Sequence, residues 1–226
     1  MIDLKDMKPA DLLVKRVEEF LLQPMQEMGF RFSKTHRTFK RKIDPFTQVI
    51  SFELRSKNEE DSCRFSMGFD VTSREYARWY QEMWGEPPPS DSIWAGNEWN
   101  IPNWPRKTKK KRFGLFASSG KGLPKDFHLT NSEEDKEEMM VLRAAIEGPA
   151  LEHLDRVTSW EGAAQGTWSL YHTRIAGDLY MIAGDKAKAR QVIEDGIQEF
   201  EASNDRNKEQ FIADLKERRS RYFSGN

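Results

Sequence analysis

Several groups of residues in this chain are of types that do chemistry, and their spacing limits what that chemistry can be. Gly114-Leu115-Phe116-Ala117-Ser118-Ser119-Gly120-Lys121 is the nearest thing to a phosphate loop. Such a loop needs four residues between its glycines, so that successive backbone N–H groups aim at the phosphates. Here five residues intervene, Gly122 stands where Ser or Thr would hold magnesium, and Pro124 interrupts the helix that should follow. A flexible turn is the better reading, and no cofactor is expected. His36, His128, His153 and His172 are dispersed, with no second His, Cys or carboxylate at recognisable zinc-ligand spacing. They read as surface or satisfied core histidines, and no metal is expected. Cys63 is the sole cysteine and begins the apolar phase of a strand. A nucleophilic thiol needs exposure and a neighbouring base, so Cys63 reads as a buried structural thiol. Glu133, Glu134, Asp135, Glu137 and Glu138 could suggest metal or acid–base work. Their position at a helix start explains them through the helix dipole. No catalytic residue is assigned.

The sharpest surface feature is the run Arg106-Lys107-Thr108-Lys109-Lys110-Lys111-Arg112, preceded by Trp94, Trp99 and Trp104. Cations that track phosphates and indoles that stack on bases would suit single-stranded nucleic acid. The same residues would suit docking of an acidic protein partner. A third reading is a solvated loop whose Trp residues pin it to the core, because five Trp between positions 79 and 104 look like a packed aromatic cluster. The interaction residues to test are therefore Trp94, Trp99, Trp104, Arg106, Lys107, Lys109, Lys110, Lys111 and Arg112.

Length and composition bound these possibilities. The chain has 226 residues, 37% hydrophobic and 12% aromatic, with 14 Phe and 7 Trp, so a core built on rings is expected rather than disorder. The net charge of -1 gives no global bias toward nucleic acid or anionic membrane. Its distribution is uneven: residues 86–131 hold 8 Lys/Arg against 4 Asp/Glu, whereas residues 132–226 hold 13 against 19. A single cysteine fits a reducing compartment. No signal peptide is visible, and no stretch approaches the roughly 18 apolar residues of a membrane span. A cytoplasmic protein is expected.

The elements that must position these residues follow from periodicity. Leu13, Val17, Phe20, Leu21 and Met28 recur at helical spacing, predicting a helix over about 10–28, kinked at Pro24 and closed by Gly29. Phe39, Arg41 and Ile43, then Ile50, Phe52 and Leu54, then Cys63, Phe65, Met67, Phe69 and Val71 alternate at period 2. They predict a three-stranded antiparallel meander with one apolar face under the first helix. Ser73 caps a helix to about Trp84. Residues 85–111 read as loop, and Arg112 to Phe116 as a fourth strand. From Ser132, an N-cap with an acidic first turn, the chain turns helical. Gly148-Pro149 breaks that helix, Thr167–Ala183 and Asp185–Ala202 form a helical hairpin, and a last helix runs from about Asp205 to Tyr222.

The stretches MGFRFSKTHRTFKRK at 28–42, QVISFELRSK at 48–57, CRFSMGFDV at 63–71, RFGLF at 112–116 and GPALEHLDRVTSWEG at 148–162 resemble the bacterial, uncharacterised family catalogued as domain of unknown function 4304. Where that family often has a paired-Trp segment after its fourth strand, this chain has Pro124-Lys125-Asp126-Phe127-His128. The resemblance implies no activity; an immunity or antitoxin-like role is compatible with it. AGDLYMIAGDKAKARQVIEDGIQEF at 176–200 resembles one tetratricopeptide-like unit, with Gly177, Tyr180, Gly184 and Ala187 to Ala189 near the expected places. One unit does not make a solenoid.

The expectation is an α+β protein: an antiparallel sheet of four or more strands covered by helices, with a C-terminal helical extension. Residues 1–131 would form the core with its Trp-rich basic loop, and 132–226 a helical portion packed on it. The expected function is a non-catalytic protein-binding module with a protein partner and no membrane association. The alternatives are a nucleic-acid-binding protein using the loop 94–112, or an enzyme with an unrecognised site.

Overall fold

A computed structural model describes residues 7–56, 58, 62–97, 100–105, 109–112, 115–118, 127–130, 132–166 and 172–224. It is α+β, as the periodicity requires. The strands are β1 (Arg31–Ser33), β2 (Thr38–Ile43), β3 (Phe46–Leu54), β4 (Cys63–Thr72), β5 (Ser92–Asn97), β6 (Lys109–Arg112), β7 (Leu115–Ser118) and β8 (Phe127–Leu129). β1 to β5 lie side by side in chain order, and β8 also pairs with β4, giving a six-stranded antiparallel sheet. β6 and β7 form a separate two-stranded sheet.

The chain divides into two compact units. The first takes residues 1–43, 47–71 and 95–155; the second takes 44–46, 72–94 and 156–226. The expected division at 131/132 differs from this one, since 132–155 goes with the sheet-bearing unit.

In the first unit the period-2 pattern does what it predicts. β3 buries Gln48, Ile50 and Phe52, and β4 buries Cys63, Phe65, Met67, Phe69 and Val71. Phe52 meets Phe65 at 5.9 Å between ring centroids, and Phe65 stacks on Phe127 of β8 at 4.9 Å. Leu54 and Phe20 are only partly buried. The first helix is two: α1 (Pro9–Phe20), which buries Leu12, Leu13 and Val17, and α2 (Leu22–Glu27). The break falls at Leu21, ahead of the expected kink, because Pro24 cannot donate to Phe20 and its ring crowds that carbonyl. Gly29, at φ 85°, ends α2: its N–H donates to Gln26 and that of Phe30 to Met25, both at 2.9 Å.

The acidic segment forms α4 (Glu133–Ala145), but Ser132 makes no side-chain cap. Asp135 closes that end instead, accepting from the Thr130 N–H at 2.9 Å while Arg16 donates to it at 3.5 Å. Gly148-Pro149 does not break the chain's helical course. Pro149 cannot bond Ala145, and a π-helical turn (Ile146–Ala150) carries the backbone into α5 (Leu151–Leu154).

In the second unit, Ser73 caps α3 (Arg74–Trp84), its hydroxyl accepting from the Tyr76 N–H at 3.2 Å. Next come α6 (Trp160–Gln165), α7 (Thr173–Ile182), α8 (Lys186–Ala202) and α9 (Lys208–Phe223). α7 begins later than expected, and 167–171 lie outside the described residues. The hairpin of α7 and α8 is present, with Asp185 capping α8 through the Lys188 N–H at 3.0 Å. Small residues set its closeness: a Cβ on Gly196 would stand 2.5 Å from the Thr173 methyl, and one on Gly177 3.0 Å from Ile193. Ile193, Ile197, Phe200, Leu215 and Tyr222 form the core here, with Trp79, Met83 and Trp84 packed against them.

Candidate functional site

Of the residues singled out for interaction, Trp99, Arg106 and Lys107 lie outside the described residues. Trp94 and Trp104 are interior, 1% and 5% exposed. Trp94 sits in β5 beside the equally buried Ile93, so both faces of that strand are covered. Trp104 packs edge-on against Phe69 at 5.8 Å. Neither indole has a face free to stack on a base. The segment read as loop over 85–111 thus contains β5 and the start of a hairpin.

Lys109, Lys110, Lys111 and Arg112 are the whole of β6. They register with Ser118, Ala117, Phe116 and Leu115 of β7, in that order. RFGLF is therefore not a strand of the main sheet; its two ends sit on either side of a hairpin. Part of the phosphate-loop-like sequence, Leu115–Ser118, is strand; Gly114 and Ser119 to Lys121 lie outside the described residues. The partner strand carries no charged residue. Among the described residues β6 pairs only with β7.

Two constellations that sequence reasoning missed are assembled from distant positions. In the second unit Asp178 of α7 is fully buried and accepts from four donors. Arg218 Nε donates to it at 2.9 Å and Nη2 at 3.3 Å, Tyr76 Oη at 3.2 Å, and Tyr222 Oη completes the set. Arg218 also bonds Asp214 and lies over the Trp84 ring at 4.9 Å. Burial pushes the Asp178 carboxyl up, against the pull of Arg218 and the two phenols. Burial first, and then Asp178, hold Tyr76 and Tyr222 protonated well beyond the ordinary phenol range. A carboxylate with every lone pair taken and no exposed surface is a structural bond. The available signal was a charge in the apolar phase of each helix, Asp178 beside Leu179 and Arg218 between Leu215 and Tyr222.

In the first unit Arg41 lies at an open cleft of about 620 Å³ with Glu147, Glu152 and Asp155 at its rim. Arg41 is spent within the protein: Gln48 Oε1 accepts from Nε at 3.0 Å and Nη2 at 2.6 Å, Asp155 accepts from Nη2, and the guanidinium lies over Phe30 at 4.6 Å. Glu147 pairs with Arg143 at 2.6 Å. Gln48 in turn donates to the Leu154 carbonyl at 2.7 Å, tying β3 to the end of α5.

Cys63 lies where the sequence placed it, inside the sheet's apolar phase. Cys63 is fully buried, and burial pushes its thiol up to about 12, with Arg37 pulling the other way. His36 and His128 are exposed and His153 is buried. Burial, and then Arg174, lower His172. Among the described residues no three His, Cys, Asp or Glu side chains are grouped to hold a metal, and no helix is long and apolar enough to cross a membrane. No protein-family model, curated protein or solved structure matches the chain.

Proposed function

We propose that this chain is a non-catalytic protein-binding module that docks an acidic partner surface on the basic ribbon of β6 and β7. The observation that carries the reading is the ribbon itself: Lys109 to Arg112 stand in one strand, opposite an uncharged strand, in a sheet separate from the main one. Two further features support it. The Asp178 and Arg41 constellations are closed on themselves and offer no reacting group. The described surface exposes one large hydrophobic side chain, Met140, so a partner meeting that surface gains from charge rather than from a broad apolar patch. Masking of a toxin's acidic face is the form an immunity or antitoxin-like role would take here. Burial of Trp94 and Trp104 weighs against the nucleic-acid alternative, which needs their stacking.

The test is affinity capture from the native cell with the wild-type chain and with Lys109, Lys110 and Lys111 replaced by Ala, paired with a salt titration of short oligonucleotides. The expected result is an acidic protein retained at low salt, released as salt rises, and lost in the triple variant. Oligonucleotide binding near 0.15 M salt that disappears in the triple variant, with a salt slope flattened by about one unit per lost phosphate contact, would overturn the reading.

A further inference from the structure

We infer that the groove between α8 and α9 binds a small phosphate dianion. Two adjoining cavities, of about 430 and 400 Å³, share Glu194, Lys216 and Arg219 and so form one groove along the two helices. The larger also takes in Arg190, Ser220 and Ser224, and the smaller takes in Glu201, so the groove sets three cations and two hydroxyls against the carboxylates of Glu194 and Glu201. Lys216, Ser220 and the C-cap Ser224 stand four residues apart, and Arg219 and Phe223 stand four apart beside them, so helical geometry puts them on one face at the end of α9.

The two arginines of this groove form no ion pair among the described residues. Arg190 and Glu194 stand four residues apart on α8, the spacing at which such side chains usually pair. No such pair forms. The Arg190 guanidinium lies instead over the Phe223 ring, 4.6 Å from its centroid, and the stacking holds it at the groove. Among the described residues neither Arg190 nor Arg219 has an ion pair, and Lys216 reaches Glu201 only at 3.6 Å. Three other arginines of the second unit are engaged: Arg218 by Asp178 and Asp214, Arg174 by Asp214, and Arg221 by Glu217 and the Met83 carbonyl.

The donor set selects the ligand class. Guanidinium forks match the paired oxygens of a phosphoryl group, and an ammonium adds charge without fixing direction. In the free protein the Ser224 hydroxyl donates to the Ser220 carbonyl and lies 3.1 Å from the Ser220 hydroxyl; the Ser220 hydroxyl can turn to donate to a third oxygen. A phosphate monoester near neutral pH carries close to two negative charges, enough to engage both arginines. Glu194, Glu201 and the negative end of the α9 dipole oppose it, and the side chains are exposed, so binding is weak and salt-sensitive.

The experiment follows the arginine Nε–Hε resonances of the full chain by NMR during titration with inorganic phosphate and with O-phosphoserine, against chloride at matched ionic strength. Saturable shifts at Arg190 and Arg219 with both phosphate probes are expected. R190Q/R219Q should weaken binding about tenfold or more through lost charge-assisted bonds, with an unchanged circular dichroism melt. E194Q should tighten it by removing a like charge. Shifts that track ionic strength alone, with chloride equally effective, would overturn the inference. So would unchanged affinity in R190Q/R219Q, or weakened affinity in E194Q.

Discussion

Replacing Arg218 by Met should be among the most damaging single changes to the second unit. Arg218 is 4% exposed and Asp178 is fully buried. Removing the guanidinium leaves a buried carboxylate whose remaining donors are the Tyr76 and Tyr222 hydroxyls. Breaking a buried pair by removing one partner costs about 3–5 kcal/mol, because the other charge stays in low dielectric. At roughly 2–4 °C per kcal/mol for a chain of this size, the melting temperature should fall by about 6–20 °C. Asp178→Asn should cost less. It keeps the shape and one acceptor, and Arg218 retains Asp214. Asp178→Leu with Arg218→Met should be milder than the two single costs added together, since a buried pair replaced by apolar groups of similar volume is often neutral or stabilising. The assay is a double-mutant cycle by urea unfolding followed by circular dichroism. Additive effects, or a cost below about 1 kcal/mol for Arg218→Met, the range of an exposed pair, would refute the structural assignment of this network.

Two further outcomes follow from the packing. Cys63 should resist thiol reagents in the native state and react after denaturation. Its thiol is raised to about 12 in the fold against about 8.5 unfolded. The unfolded chain therefore loses that proton first, and the contribution to stability, full below pH ~8.5, declines as pH rises toward 12; fast native labelling would contradict the burial. Gly196→Val should destabilise the α7/α8 hairpin by about 1–3 kcal/mol through overpacking, because even a single added carbon stands 2.5 Å from Thr173; a thermal melt unchanged from wild type would show that the helices do not approach this closely.

How much of this was legible in the sequence depended on the range of the interaction. Period 2 in β3 and β4, the Ser73 cap and the Gly29 stop are local, and each lies where the residues place it. β5 was missed because Gly85-Glu86-Pro87-Pro88-Pro89 signals loop and because Ile93 and Trp94 are adjacent: a strand covered on both faces has no alternation to read. β6 was missed for a different reason. Four consecutive cations advertise a solvated run, and only pairing with Leu115–Ser118 turns them into a strand. The Asp178–Arg218 bond joins positions forty residues apart, and Arg41 reaches Asp155 across 114. Charge in an apolar helical phase marks such residues as anomalous without naming their partners.

The same distinction bears on function. An indole beside a basic run fits a base-stacking platform as well as it fits a core residue, and burial alone separates them. With Trp94 and Trp104 interior, the cations at 109–112 act without an aromatic partner from those two residues. The two proposals draw on different charges: the lysine- and arginine-rich sequence of β6, and Arg190 and Arg219 of the groove along α8 and α9. On these proposals both would recognise anions, and both would weaken with salt. They differ in what they demand of the ligand, because an extended strand of lysines is satisfied by any acidic surface of similar span, whereas two guanidinium forks at the rim of one groove select for oxygen geometry. Comparing acidic peptides with phosphate at equal ionic strength therefore separates the two surfaces within one chain. The Lys109, Lys110 and Lys111 alanine variant should lose the first response and keep the second, and R190Q/R219Q should do the reverse.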